Sequence, residues 1–225
     1  MPSGLRRFHE SGQCHFVTFS CYRRCPYFAT VEVFDLFVRC LEDMRLRFDV
    51  SVYGYVVMPE HVHLLLSEPA AFARDCSSRG SQVSAQRTGA NLGHLSDSAT
   101  LAEAMHYLKL SFAKRVRRFR SSGSQVSAQR TGANLGHPTS GSFWEKRYYD
   151  RNVRDYEEFT VKLRYVHRNP VKRGLVLRPE EWKWSSFRHY ALREIGAVEI
   201  ESEWTAGDRE RKAYGGGERV FLRPK

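Results

Sequence analysis

The sequence predicts an α+β fold in which an antiparallel sheet carries its helices on one face. Short runs rich in β-branched and aromatic residues alternate with longer stretches whose apolar residues recur at helical spacing. A Met58-Pro59-Glu60 turn joins two neighbouring strand candidates, which favours antiparallel pairing. Of the 225 residues, 41% are hydrophobic and 13% aromatic, enough to bury one core and to exclude wholesale disorder. No apolar run approaches the roughly 18–20 residues that cross a bilayer, so no membrane partner is expected.

Cys14 to Ser20 reads as the first strand. From Val31 to Phe48, Val33, Phe34, Phe37, Val38, Leu41, Met44 and Phe48 keep a helical period. Val50–Met58 and Val62–Leu66 read as the strands flanking the proline turn. A helix over about 99–119 places Leu101, Met105, Leu108 and Phe112 on one side. Phe143–Tyr149 is the candidate fourth strand. A helix from Asp155 to about Arg168 follows, with Asp155 as N-cap and Glu158 completing a capping-box pattern, and Pro170 is expected to end it. Within that helix Phe159, Leu163 and Val166 form the core-facing stripe. The order β-α-β-β-α-β-α matches a ferredoxin-like sheet. The predicted domain spans 10–190, and 191–225, polar and containing Gly215-Gly216-Gly217, is expected to be a loosely ordered tail.

Two segments interrupt this pattern. Gly80–His94 and Gly123–His137 both read GSQVSAQRTGANLGH, fifteen residues without a mismatch. Repeats that stack into solenoids diverge and keep apolar positions. These copies are polar and nearly devoid of core formers, so about 70–97 and 121–141 are read as surface insertions, which a domain tolerates at small entropic cost. Their identity points to one DNA element that entered the gene twice; dissimilar codons in the two copies would contradict that.

Cys14, Cys21, Cys25, Cys40 and Cys76 form an odd set without a CxxC pair, so neither a disulfide framework nor a zinc ribbon follows. The Met1–Arg7 start lacks the apolar stretch of a signal peptide, and a cytoplasmic location is expected. Against 25 Asp and Glu stand 36 Lys and Arg, a formal surplus of +11, which speaks of polyanionic partners rather than of fold. The densest block is Lys109, Lys114, Arg115, Arg117, Arg118 and Arg120 on the second helix, with no acid among them. It reads either as a solvated amphipathic face or as a surface for nucleic-acid phosphates.

Chemistry concentrates in two segments. In Pro59-Glu60-His61-Val62-His63-Leu64, a strand sends His61 and His63 to the same face, where two imidazoles can converge on one cation or remain ordinary structural histidines. Glu60 falls on the other face if the strand begins there and is not counted as a ligand. In Tyr165-Val166-His167-Arg168-Asn169-Pro170, Tyr165 lies about 120° from Phe159, off the core stripe, and Asn169 stacks one turn beyond it. The pair offers a hydroxyl nucleophile beside an amide, or simply a packing tyrosine before a helix stop.

MPEHVHLLL, FWEKRYYDRNV, YVHRNPVKRGLV and EEWKWSSFRHY, in that order, resemble the REP-associated tyrosine transposases, single-tyrosine HUH endonucleases related to small insertion-sequence transposases. The resemblance covers about residues 10–190. It implies that His61 and His63 are metal ligands, that Tyr165 is the nucleophile and that Asn169 supplies a further ligand, at a position that is often Gln in relatives. It further implies a divalent cation, Mg²⁺ or Mn²⁺, and single-stranded or palindromic hairpin DNA as the partner, nicked and rejoined through a 5′-phosphotyrosine. The residues themselves leave open a non-catalytic DNA- or RNA-binding module and a phosphohydrolase using activated water. Whether the chain works alone or as a homodimer is also open.

Overall fold

The computed structural model describes residues 14–69, 99–123 and 142–214. Both insertions, apart from residues 121–123, as well as Cys76 and residues 215–225, lie outside the described residues. The elements are β1 (Cys14–Ser20), α1 (Val31–Phe48), β2 (Val52–Val57), β3 (His61–Leu66), α2 (Leu101–Gly123), β4 (Tyr149–Val153), α3 (Tyr156–Lys172), α4 (Phe187–Leu192) and α5 (Glu203–Tyr214). The strands form one antiparallel sheet in the order β2-β3-β1-β4. This is the expected α+β sheet, reached in the expected element order.

Alternation along the strands gives the sheet two dissimilar faces. Val17, Phe19, Val62, Leu64 and Leu66 point to the far face and merge with the apolar stripes of α1 and α2. Leu101, Met105, Leu108 and Phe112 are fully buried there. Phe112 stacks on Phe28 at 5.3 Å and meets Phe37 edge-on at 5.1 Å.

The near face holds a smaller cluster. Phe16, Val56, Met58, Leu65 and Val153 pack against Val166, Phe159 and Leu163, the stripe expected of α3. Helices therefore cover both faces, α1 and α2 on one and α3 on the other, where one face was expected to carry them all. Gly54 makes the α3 approach possible: a Cβ there would meet Leu163 Cδ1 at 2.6 Å.

Four other expectations need correction. The fourth strand is Tyr149–Val153, not Phe143–Tyr149. Trp144 is drawn instead into the far-face core, donates through Nε1 to Lys109 O, and keeps one bridge to Cys21. The last helix does not stop at Pro170. It runs to Lys172, with Arg173 N bonded to Asn169 O and Leu175 N to Pro170 O, and burial of Val166, His167, Asn169 and Pro170 outweighs the donor that proline removes. Asp155 Oδ1 caps Glu158 N as expected, but Glu158 returns its bond to Arg154 N.

Nor is the described part of the 191–225 segment loose. Val198 and Ile200 are buried in the far-face core, Glu201 N bonds Val52 O, and His189 stacks on Trp204 at 4.5 Å.

Two polar devices hold the sheet. Residues 182–186 run along the outer edge of β2: Val57 N bonds Trp184 O, Ser186 N bonds Tyr55 O, and Trp182 Nε1 donates to Val57 O. That masks an edge strand. On the far face His15 is fully buried between Asp150 Oδ1 (2.8 Å) and Glu68 Oε1 (3.0 Å), tying β1 to β4 and to the chain leaving β3.

Candidate active site

Between α3 and the near face of the sheet lies a trough of about 510 Å³. Its floor is Phe16, Thr18 and Ser20 of β1 with His61 and His63 of β3, one wall is Lys162, Tyr165, Asn169 and Arg173 of α3, and Tyr149 and Arg24 complete the rim. The two imidazoles and the phenol, a hundred residues apart in sequence, thus meet within one chain. The ring of Tyr165 lies 5.2 Å from that of His63, edge to face, and Phe16 packs against both.

Strand register sets the histidines. His63 lies opposite Thr18 and His61 opposite Ser20, all on the same face. Thr18 Oγ1 and His63 Nδ1 are hydrogen-bonded at 2.7 Å, which fixes that ring. His61 Nδ1 is buried without an aligned hydrogen bond, yet Glu60 Oε1 stands 3.2 Å away at ion-pair distance. With each Nδ1 so engaged, the Nε2 atoms face one another at 3.0 Å. That is the separation of two adjacent ligands on one cation with bonds of about 2.1 Å. Burial first, then the neighbouring charge of His61, Arg24 and Lys162, pushes His63 down to about 3, so its ring is neutral, and its Nε2 shares a hydrogen bond with that of His61 that a cation would replace. Burial lowers His61 as well, against the pull of Glu60.

The donors present suit a divalent cation. Two neutral imidazoles and the Asn169 amide line one trough, each imidazole backed by a partner that orients it. Among the described residues no group of three or more His, Cys, Asp or Glu side chains could hold a metal, so a hard cation here would keep positions for water or phosphate oxygens.

Glu60 is a residue the sequence reading set aside. It sits in the bend before β3 rather than on the strand, and its carboxylate bridges His61 and Arg173, the C-cap of α3. Tyr165 is 39% exposed, and Lys172 Nζ stands 5.6 Å from its ring. Asn169 is 5% exposed, held on the side of Tyr165 because the helix continues past it. His167, in the same motif, is structural: its Nε2 meets Ser186 Oγ at 2.9 Å and pins α3 to the edge segment.

The basic residues of α2 lie elsewhere. This helix packs on α1 across the far face, so none of Lys109, Lys114, Arg115, Arg117, Arg118 and Arg120 lines the trough. Lys109 donates to Glu145 O, Arg115 pairs with Asp43 at 2.6 Å, and Arg120 donates to Tyr27 O. Lys114, Arg117 and Arg118 are exposed. The trough draws its cations from Arg24, Lys162 and Arg173, scattered in sequence and without the density that marks a basic run. The aromatic residues divide between core and trough. Trp184 stacks on Phe34 at 4.1 Å, and Trp182 and Tyr148 also pack against the far-face core, whereas Tyr149, 40% exposed, lines the trough.

No family model matches the chain. A protein of Haemophilus influenzae named "Putative REP-associated tyrosine transposase" is 20% identical over 193 residues, covering 86% of this chain and 90% of its own length. The "REP-associated tyrosine transposase" of Escherichia coli is 19% identical over 210 residues, covering 92% and 98%. A solved REP-associated tyrosine transposase bound to a REP hairpin superposes with a TM-score of 0.53 at 16% identity, over 89% of this chain and 93% of that one, which shows a shared fold. The family resemblance carried by the four sequence segments is thus met by curated relatives of that name along most of the chain.

Proposed function

We propose that this chain, like the REP-associated tyrosine transposases it resembles, nicks and rejoins single-stranded or hairpin DNA through a 5′-phosphotyrosine on Tyr165. The observation that carries this reading is the convergence of His61, His63, Asn169 and Tyr165 on one trough. A free phenol has a pKa near 10 and is a poor nucleophile at neutral pH. A divalent cation, Mg²⁺ or Mn²⁺, held by His61, His63 and Asn169 would polarise the scissile phosphate and offset charge on its oxygens.

The chain's own residues do the remaining work. Thr18 and Glu60 stand at the Nδ1 atoms and leave both Nε2 atoms toward the trough. The rigid face of α3 presents the Tyr165 hydroxyl to a phosphate lying against them. Attack of the Tyr165 oxygen on phosphorus forms the Tyr–O–P bond as the phenol proton passes to solvent, the P–O3′ bond breaks, and the leaving 3′-oxygen takes a proton from solvent. An incoming 3′-hydroxyl reverses these changes and joins strands, because the phosphodiester bond energy is conserved in the phosphotyrosine.

Tyr149 offers a face on which a base can stack. Exposed Lys114, Arg117 and Arg118 on α2 would meet backbone beyond the trough. No helix among the described residues is long and apolar enough to cross a membrane, and we place the activity in the cytoplasm.

The test is incubation with Mn²⁺ and a labelled pool of hairpin oligonucleotides whose single-stranded feet are randomised, read on a denaturing gel. A covalent protein–DNA band that needs Tyr165 is expected. Retardation on a native gel without any covalent band would indicate a binding module, and free phosphate ends without an adduct would indicate a hydrolase; either contradicts the proposal.

A further inference from the structure

The α3 wall of the trough is formed by Val161, Lys162, Tyr165 and Asn169, with the C-cap Arg173 beyond them. Lys162, Tyr165, Asn169 and Arg173 stand at steps of three, four and four, within about 80° of the helix circumference. From Lys162 to Arg173 the row runs about 16 Å, the rise of about five stacked nucleotides at ~3.4 Å each. Cations close both ends, yet their surroundings differ. Arg173 is engaged by Glu60. Among the described residues Lys162 has no such partner: Glu158, one turn before it and its ordinary helical mate, is turned away to Arg151 at 2.8 Å and to Arg154 N.

Among the described residues the trough lining holds no carboxylate, Glu60 reaching only the outer sides of His61 and Arg173, while Arg24, Lys162 and Arg173 do line it. Lys162 is half-buried, with Nζ 5.0 Å from the Phe16 ring that forms the floor beside His63 and Tyr165. A half-buried ammonium one helical turn before a nucleophile, with the one nearby carboxylate, Glu60, already engaged by His61 and Arg173, is a site for an anion.

We propose that Lys162 holds the backbone phosphate next to the one Tyr165 attacks and so fixes the path of a single DNA strand along α3. This rests on the reading of the trough as a DNA-cleaving site and adds a residue to it. Lys162 contacts the substrate through charge alone, so it accepts any sequence; arginine at the same place keeps the contact.

The experiment has two arms. The first measures anisotropy of a labelled oligo(dT), long enough to fill a site of roughly 4–16 nucleotides, with chelator present so that nothing is cleaved. Salt is varied between about 50 mM and about 1 M. Lys162→Met should lower the slope of log affinity against log salt by about 0.7 and weaken binding roughly eightfold at the low-salt end relative to the high-salt end, while Lys162→Arg keeps both. Lys162→Gln carries the same test should the methionine variant melt early. The second arm measures adduct formation on the randomised hairpin pool with Mn²⁺. Lys162→Met should raise the DNA concentration at half-maximal adduct more than it lowers the rate at saturation. An unchanged slope, absence of salt-dependent binding by the wild-type chain, or an equal loss with arginine overturns the Lys162 proposal. Absence of a wild-type adduct, with the slope change intact, overturns the cleavage reading and leaves the phosphate contact standing.

Discussion

The two faces of one sheet have been put to opposite uses. The far face, roofed by α1 and α2, is sealed with large side chains: Phe19, Phe37, Phe112, Leu64 and Leu66 are all under 2% exposed. The near face is roofed mainly by α3, which lies closest over β2 and β3 at Gly54 and leaves a trough between itself and β1 at Thr18 and Ser20. The same alternation that sends Val62 and Leu64 into the core sends His61 and His63 into the trough. A second roofing helix gives the one side stability; its lack gives the other side room for a substrate. Reactivity and stability should therefore respond separately to substitutions on the two faces.

The sharpest separation is expected at Tyr165. Tyr165→Phe should abolish the covalent adduct, a loss of at least about 10³-fold, while thermal melting and hairpin binding stay near wild type, since the hydroxyl belongs to no core contact. The reverse pattern is expected on the far face. Phe112→Ala should cost about 3–5 kcal/mol in urea unfolding, with adduct formation kept by whatever fraction remains folded.

Next in size is Thr18→Val, which removes the oxygen that orients His63. It should weaken Mn²⁺ binding by about 10–100-fold in a titration followed by melting temperature, with little change in apo stability. Gly54→Ala forces Leu163 to move and should cost about 1–3 kcal/mol while lowering adduct yield more than DNA binding, because α3 carries Tyr165.

The smallest effect concerns pH. Burial alone would lower His15, but its hydrogen bonds to Asp150 and Glu68 outweigh that and raise it. A raised histidine stabilises the fold fully below its unfolded pKa of about 6.5, and that stability is lost as pH rises through the folded value. Urea midpoints of the wild type should fall over this window, and those of His15→Gln should stay flatter.

Much of this was legible in the residues themselves. Periodicity located α1 and the buried stripes of α2 and α3, because burying one face leaves a strong pattern, and β-rich content located β1. The HVH spacing and the Tyr165–Asn169 step left two readings open each, and the resemblance singled out residues that line one trough. What eluded the sequence depends on long-range packing. Trp144 looks like a strand residue until a core claims it. Pro170 looks like a stop until burial carries the helix through it. Arg24 and Lys162 carry no local signal because only the fold assembles them, whereas the dense α2 run proved to lie across the sheet. His15 and Glu60 likewise acquire partners from distant strands and helices.

The central claim is that the imidazoles and the phenol of one chain form one site. It is tested most directly by mixing His63→Ala chains with Tyr165→Phe chains and assaying adduct formation on the hairpin pool with Mn²⁺. The wild type should form the adduct, and neither variant nor their equimolar mixture should. Recovery of adduct in the mixture would show that the histidines of one chain serve the tyrosine of another, contradicting the single-chain trough.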